Sequence, residues 1–259
     1  MVLSERDIAH FKRGGVENPL FWSRFGSQPN LKGASVLDVG CGWGSLCVDM
    51  ASSGTKQVVG LDIKPELIDF ANENLRRAYP QLADIVVFAC VDLRDWNNGP
   101  MFDYIVSKDA FEHIIDLRDM LEAMKKHLKS GGRIYAGFGP IYTRPYGDHD
   151  RRRMAFKPWG RWGRFLARIP WGHMFMEPLI INMRNRYRGE KNKSMYDLGL
   201  NKMAPSDYRR DFRASGLSIV DLRVSQSTKF QSRVFSLLKR IPFLEDYCTH
   251  NIYCILEKE

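Results

Sequence analysis

Long apolar runs are missing from this sequence. No stretch approaches the roughly 20 residues that a membrane-spanning helix needs, so no spanning helix is expected. The first residues, Met1-Val2-Leu3-Ser4-Glu5-Arg6-Asp7, are charged where a secretory leader would be apolar. Cysteine is sparse and unpatterned: the five, at 41, 47, 90, 248 and 254, form no Cys-x-x-Cys pair, and an odd number does not suit a disulfide framework. Reduced thiols in a cytoplasmic protein, and no zinc site, are the expectation. Acidic residues are outnumbered 30 to 39 by Lys and Arg, giving a net charge of +9. That excess suits an anionic substrate, a nucleic acid or a membrane surface without choosing among them.

What is present is a regular alternation from about residue 34 to 138. Short β-rich runs at 35–39, 57–62, 85–90, 102–107 and 133–138 alternate with helical patterns at 45–52, 65–79 and 117–128, which predicts parallel strands joined by crossover helices. Pro65 suits the first position of its helix, and Gly131-Gly132 is expected to end the helix before it. Regularity then stops: residues 139–204 are rich in Gly, Pro, Arg and aromatics with no clean period. Strand patterns return at 217–224 and 251–257. The chain thus reads as an N-terminal cap segment, 1–33, and one domain, 34–259. That domain's sheet is interrupted by a substrate-recognition insert or lid at 139–204, since loops so long are usually functional.

The turn after the first strand places glycine at 40, 42 and 44. Such glycines allow a tight turn and let a ligand lie against bare backbone beside a helix N-terminus. A dinucleotide fingerprint would need glycine at 45, where Ser45 stands. Asp38 precedes the turn and can hold a cationic amino group. Asp62 ends the second strand, where a carboxylate can take ribose hydroxyls. Asp92, after the third, could accept from an adenine amino group, and Leu93 can donate its backbone N–H. Ile63 and Ser107 complete the expected cofactor set.

The succession VLDVGCGWG, VVGLD, CVDLRDW, FDYIVSKDAFEHI, LKSGGRIY resembles the class I S-adenosylmethionine-dependent methyltransferases, in their small-molecule branch. The resemblance covers about residues 34–138, with weaker similarity in the last two strands. It implies a Rossmann-like α/β fold: a seven-stranded, mostly parallel sheet with helices on both faces and a large insert after strand five. It also implies S-adenosylmethionine as methyl donor, with Asp38, Gly40 and Gly42 at its methionyl end, Asp62 at the ribose and Asp92 at the adenine. Asp109, Glu112 and His113 resemble the E-x-x-E-H cluster that binds a divalent ion in the ubiquinone-pathway O-methyltransferases. Three uses stay open for them: a metal site, the least favoured; a cap for the next helix; and contact with the acceptor.

Methyl transfer to a hydroxyl or a protonated amine gains from a base. Tyr142, Tyr146, Asp148 and His149 follow strand five, and His173 and Glu177 come later. His149, which Asp148 could orient, and His173 are the candidate bases. His10, His127 and His250 are expected to be structural. Phe21-Trp22-Ser23-Arg24-Phe25 either covers the cofactor or packs on the sheet edge. Residues 151–168 carry seven basic side chains and no acidic one, mixed with Phe156, Trp159, Trp162 and Phe165. They suit a solvated basic surface whose aromatics fill the core, a lid for an anionic acceptor, an anionic membrane or nucleic acid. Nucleic acid is disfavoured, because Ser107-Lys108-Asp109-Ala110-Phe111 lacks the Pro-Pro-Tyr/Phe-type motif of amino-methylating nucleic-acid enzymes. The expected activity is O-methylation of a small or lipid-linked anionic acceptor. N-methylation of a small amine, or cofactor binding without catalysis at a membrane surface, are the alternatives.

Overall fold

The first strand shows how the sheet is built. Ser35–Val39 (β1) is buried along its whole length, as suits a central parallel strand covered on both faces. Successive side chains point to opposite faces. Val36 joins an apolar layer with Val58, Val106 and Tyr135, whereas Leu37 and Val39 join another with Val59, Leu61 and Ile105. The computed structural model of the chain describes residues 3–225, 241 and 244–259. Part of the expected 34–259 domain, at 226–240 and 242–243, lies outside them.

The remaining strands are Gln57–Asp62 (β2), Val86–Cys90 (β3), Phe102–Lys108 (β4), Leu128–Phe138 (β5), Ser218–Ser225 (β6) and Asn251–Glu257 (β7). They form one seven-stranded sheet in the order β3-β2-β1-β4-β5-β7-β6. β1 to β5 are parallel, and β7 runs antiparallel between β5 and β6. The order reverses between β1 and β4, and such a switch point opens a crevice at the carboxyl ends of the strands.

Ser45–Ser52 (α2) and Pro65–Ala78 (α3) pack in the layer of Val36, together with an N-terminal helix, Glu5–Ser23 (α1). Leu117–His127 (α4) packs in the opposite layer. The glycine pair that was expected to stop α4 does something else. The helix ends at His127, β5 begins at once with Leu128 opposite Phe102, and Gly131 (φ +72°) takes up an irregular step inside the strand.

Between β5 and β6 the chain is more regular than its sequence suggested. It forms Arg151–Ala155 (α5), Gly160–Ala167 (α6), Gly172–Phe175 (α7) and Glu177–Arg188 (α8), and then Pro205–Ala214 (α9). The first four share a small core of Tyr142, Ala155, Phe156, Ile180, Ile181, Met195 and Leu200. At its centre Arg152 and Asp148 form a buried ion pair, with Arg152 Nε 3.2 Å from Asp148 Oδ2 and the Arg152 backbone N–H donating to the same oxygen at 2.7 Å. Breaks at Pro158, Gly160, Pro170 and Gly172 keep α5, α6 and α7 too short to show a 3.6-residue period, whereas α8 is long enough at 12 residues but buries only Ile180 and Ile181.

Candidate functional site

The crevice predicted by the strand order is a cleft of about 720 Å³. Asp38, Gly40, Gly42, Asp62, Ile63, Asp92 and Leu93 all line it. Their convergence follows from the fold, because parallel strands deliver their carboxyl ends to one edge of the sheet. Gly40 has φ +80°, and a Cβ there would lie 2.6 Å from the Ala110 Cβ. Gly42 has φ +54° and open space where a Cβ would be, so the loop offers bare backbone to whatever enters. Gly44 and Ser107 act behind the cleft. Gly44 (φ +79°) starts α2 and packs against Phe88. Ser107 is fully buried and donates its hydroxyl to the Val39 carbonyl at 2.9 Å, tying β4 to β1.

The three strand-end carboxylates are differently prepared. Asp38 is only 1% exposed and accepts the Cys47 thiol at 3.2 Å. Burial pushes its pKa up to about 7 against the opposing pull of Cys47 and Lys108. Asp62 holds both oxygens in place by accepting the Gly42 and Lys64 backbone N–H groups, each at 3.0 Å. Asp92 caps the following turn through the Arg94 N–H, and the Arg94 guanidinium forks onto both its oxygens at 2.9 and 2.7 Å. Arg94 keeps that carboxyl below its usual range.

α1 forms one wall of the cleft through His10, Arg13, Gly14, Glu17 and Asn18. Asn18 is buried and donates to the Ser45 hydroxyl at 3.3 Å, while Lys108 donates to its Oδ1 at 3.1 Å. His10 stacks on Trp43, with centroids 4.4 Å apart and planes 8° from parallel, and Trp43 Nε1–H donates to Asp7 at 3.0 Å. His10 is thus a cleft residue, not a remote structural one. Phe21, Trp22 and Phe25 instead pack against Tyr135 on the sheet. Of the two readings of this segment the packing one holds, and it is the preceding turns of α1 that line the cleft. His127 is structural, held between the Trp96 and Pro100 carbonyls and stacked on Trp96.

Neither candidate base faces the cleft. His173 is fully buried, bonded through Nε2 to the Tyr142 carbonyl at 2.6 Å. His149 (φ +48°) bonds through Nε2 to the Pro140 carbonyl at 3.0 Å and lies edge-on behind His113, with centroids 5.1 Å apart. Burial and the nearby His113 push its pKa down to about 4. Asp148 does not orient it, because Arg152 occupies both carboxylate oxygens. Tyr142, Tyr146 and Glu177 likewise serve the insert: Glu177 accepts Lys202 at 2.7 Å and the Met195 N–H at 2.9 Å, and Tyr146 donates to the Arg168 carbonyl.

Besides His10, which is stacked on Trp43, the cleft is lined by the imidazole of His113. Its Nδ1 lies 2.5 Å from the Gly199 carbonyl. A carbonyl only accepts, so Nδ1 carries the hydrogen and Nε2 keeps its lone pair. Protein groups that displace water around the ring hold its pKa below the usual value, although one edge still meets solvent. Asp109 lines the cleft at φ +54°, its carboxyl raised to about 6 by partial desolvation. Glu112 points away, buried, with Oε1 accepting the Gly139 N–H at 3.0 Å. Asp109, Glu112 and His113 therefore do not converge, and among the described residues no three His, Cys, Asp or Glu side chains form a metal-holding group.

Comparison with known proteins agrees with this architecture. Residues 36–132 match the family model described as a methyltransferase domain. Over 118 residues the chain is 34% identical to the ubiquinone biosynthesis O-methyltransferase of Xanthomonas oryzae pv. oryzae, covering 46% of this chain and 48% of that one. The chain thus spans about half the length of the curated relatives it matches. Among solved structures it resembles geranyl diphosphate C-methyltransferase from Streptomyces coelicolor A3(2), solved with Mg2+, geranyl diphosphate and S-adenosyl-L-homocysteine. There the TM-score is 0.58 and the identity 15%, over 98% of this chain and 83% of that chain. It also resembles an S-adenosylmethionine-dependent methyltransferase from Mesorhizobium loti, with a TM-score of 0.54 and 17% identity over 93% of this chain and 97% of that chain. Residues 36–132 of this chain thus resemble the methyltransferase-domain family, and the sheet that carries them has the Rossmann-like fold of the S-adenosylmethionine-dependent methyltransferases.

Proposed function

We propose that the chain is an S-adenosylmethionine-dependent methyltransferase that methylates an oxygen of a small or lipid-linked anionic acceptor in the cytoplasm. One observation carries this reading: the carboxylates of Asp38, Asp62 and Asp92 and the open backbone of Gly42 line a single cleft at the switch point of the sheet. These residues fit the donor. Asp38 would meet its amino group, the fixed oxygens of Asp62 its ribose, and Asp92 with Ile63 its adenine. When bound, S-adenosylmethionine supplies an electrophilic sulfonium methyl, and its transfer leaves S-adenosylhomocysteine.

The residues of this chain then act mainly by position, which can supply roughly 7–11 kcal/mol of a barrier. α1 and the Asp109–His113 turn enclose the cleft and keep water from the methyl group. His113 takes the acceptor's hydroxyl proton on Nε2, while the Gly199 carbonyl holds its Nδ1–H. Because its pKa is lowered, the ring is neutral and ready to accept a proton at pH 7. Arg13 and Lys64 on the wall favour an acceptor bearing a carboxylate or phosphate.

The test uses methyl-labelled S-adenosylmethionine with a fractionated small-molecule extract. Label should move to an acidic small molecule. His113→Ala should lower kcat by about 10²–10⁴-fold with cofactor affinity unchanged by calorimetry. Asp62→Ala should weaken cofactor binding by about 1–3 kcal/mol. Tight cofactor binding with no labelled product from any fraction would instead make this a binding protein. Full activity in His113→Ala would remove the base.

A further inference from the structure

The basic run at 151–168 divides into two parts in the folded chain. Arg151 and Arg152 turn inward: Arg151 donates to the His149 and Leu198 carbonyls, and Arg152 is 1% exposed in its pair with Asp148. Arg153, Lys157, Arg161, Arg164 and Arg168 stay exposed, and their side chains pair with no acid among the described residues. No acidic residue occurs between Asp150 and Glu177.

Beside these cations stand uncovered aromatics. Trp162 is 73% exposed and Phe165 61%, and with Trp159 and Leu166 they line a shallow apolar groove outside the cofactor cleft. The placement is built in. A Cβ on Gly163 would collide with the Phe156 carbonyl, so the glycine lets α6 lie hard against the preceding turn. With Gly163 inward, Trp162, Phe165 and Leu166 form one stripe at i, i+3, i+4, and Arg161, Arg164 and Arg168 form a second stripe at i, i+3, i+7. An aromatic stripe flanked by cations is the layout of a helix lying in a membrane interface. Rings enter the headgroup boundary, and each nearby cation adds about 1 kcal/mol on an anionic leaflet. No described helix is long and apolar enough to cross a bilayer, so contact would be confined to the interface.

We propose that α6 and the turn before it dock the protein on an anionic phospholipid surface, with Trp162 and Phe165 inserted and Arg161, Arg164 and Arg168 on the headgroups. The site is separate from the cofactor cleft, and the proposal stands whether or not the acceptor is a lipid. The full chain is sedimented with vesicles of phosphatidylcholine alone and with vesicles containing phosphatidylglycerol. Binding should require the anionic lipid. Arg161→Gln with Arg164→Gln should weaken it by about 30-fold, the equivalent of two cations at the surface. Trp162→Ala with Phe165→Ala should weaken it at least tenfold, while S-adenosylhomocysteine affinity, read by calorimetry, stays unchanged and certifies the fold. Absence of binding to anionic vesicles at low salt would overturn the proposal. So would binding indifferent to Trp162 and Phe165, or tighter capture of single-stranded RNA by the same five residues.

Discussion

Asp38 is where the chemistry of a single residue reaches furthest. It sits on the cleft yet is almost wholly buried, and the free carboxyl is raised to about 7. A cationic amino group beside it favours the ionised form, so binding the donor lowers its pKa. Below about pH 7 the proton must be expelled first, and affinity falls by up to about tenfold for each pH unit. Above it Asp38 is already ionised and adds no further cost. S-adenosylmethionine should therefore bind several-fold more tightly at pH 8 than at pH 6. Methylthioadenosine, which has no amino acid moiety, should not follow pH, and Asp38→Asn should flatten the profile. Calorimetry at three pH values decides this, and an unchanged slope in Asp38→Asn would assign the dependence elsewhere. At this scale the convergence of the three carboxylates on one cleft was legible, because position at a strand end is a local property of sequence. Arg94 forking Asp92 was not, nor was His10 over Trp43, because those partners meet only through tertiary placement.

At the scale of elements, α1 is the piece whose docking the cleft depends on. It carries Gly14-Gly15 in its middle, at a cost of about 0.5–1 kcal/mol each relative to Ala in a helix. The two are not equivalent. A Cβ on Gly14 would lie 2.8 Å from the Ser45 Oγ and 2.9 Å from its Cβ, whereas one on Gly15 would meet only that Oγ at an ordinary 3.9 Å. Gly14→Ala should therefore push α1 off the start of α2, disturb the Asn18–Ser45 contact and weaken cofactor binding several-fold. Gly15→Ala should keep affinity and raise Tm by a few degrees. Identical behaviour of the two variants in a thermal melt and a cofactor titration would contradict the close-packing role. The same distinction explains what the sequence hid in the insert. Asp148 and Arg152 stand four apart, the spacing of a helical ion pair, but glycine and proline interrupt 139–204 so often that no helix was expected. Asp148 was therefore assigned to its sequence neighbour His149, and His173 was read as a surface base when its ring completes a small core.

For the whole molecule, Glu112 is the joint. Its carboxyl Oε1 accepts the N–H of Gly139 at the end of β5, and its backbone carbonyl accepts the N–H of Asn201 after the insert at 3.1 Å. Asn201 in turn donates to the Phe111 and Ile114 carbonyls and accepts the Tyr208 hydroxyl from α9. Sheet, insert and α9 thus meet on the turn that also presents Asp109 and His113 to the cleft. Burial, reinforced by the charge of Asp109, pushes the Glu112 pKa from 4.5 to about 8. The folded state therefore holds a proton that the unfolded chain releases near pH 4.5. Stability from this group is fully present below that pH and is lost as pH rises through about 8, by on the order of 5 kcal/mol. The net charge of +9 acts in the opposite direction, since raising pH toward the pI near 9.3 relieves self-repulsion. The two effects separate by difference. Glu112→Gln imitates the protonated acid and leaves the other titrating groups in place, so its stability minus that of the wild type should be small at pH 5, rise to about pH 8 and level off by pH 9. Urea unfolding across that range measures it. A constant difference would mean that Glu112 is ionised in the folded protein and that this joint is held by a charge.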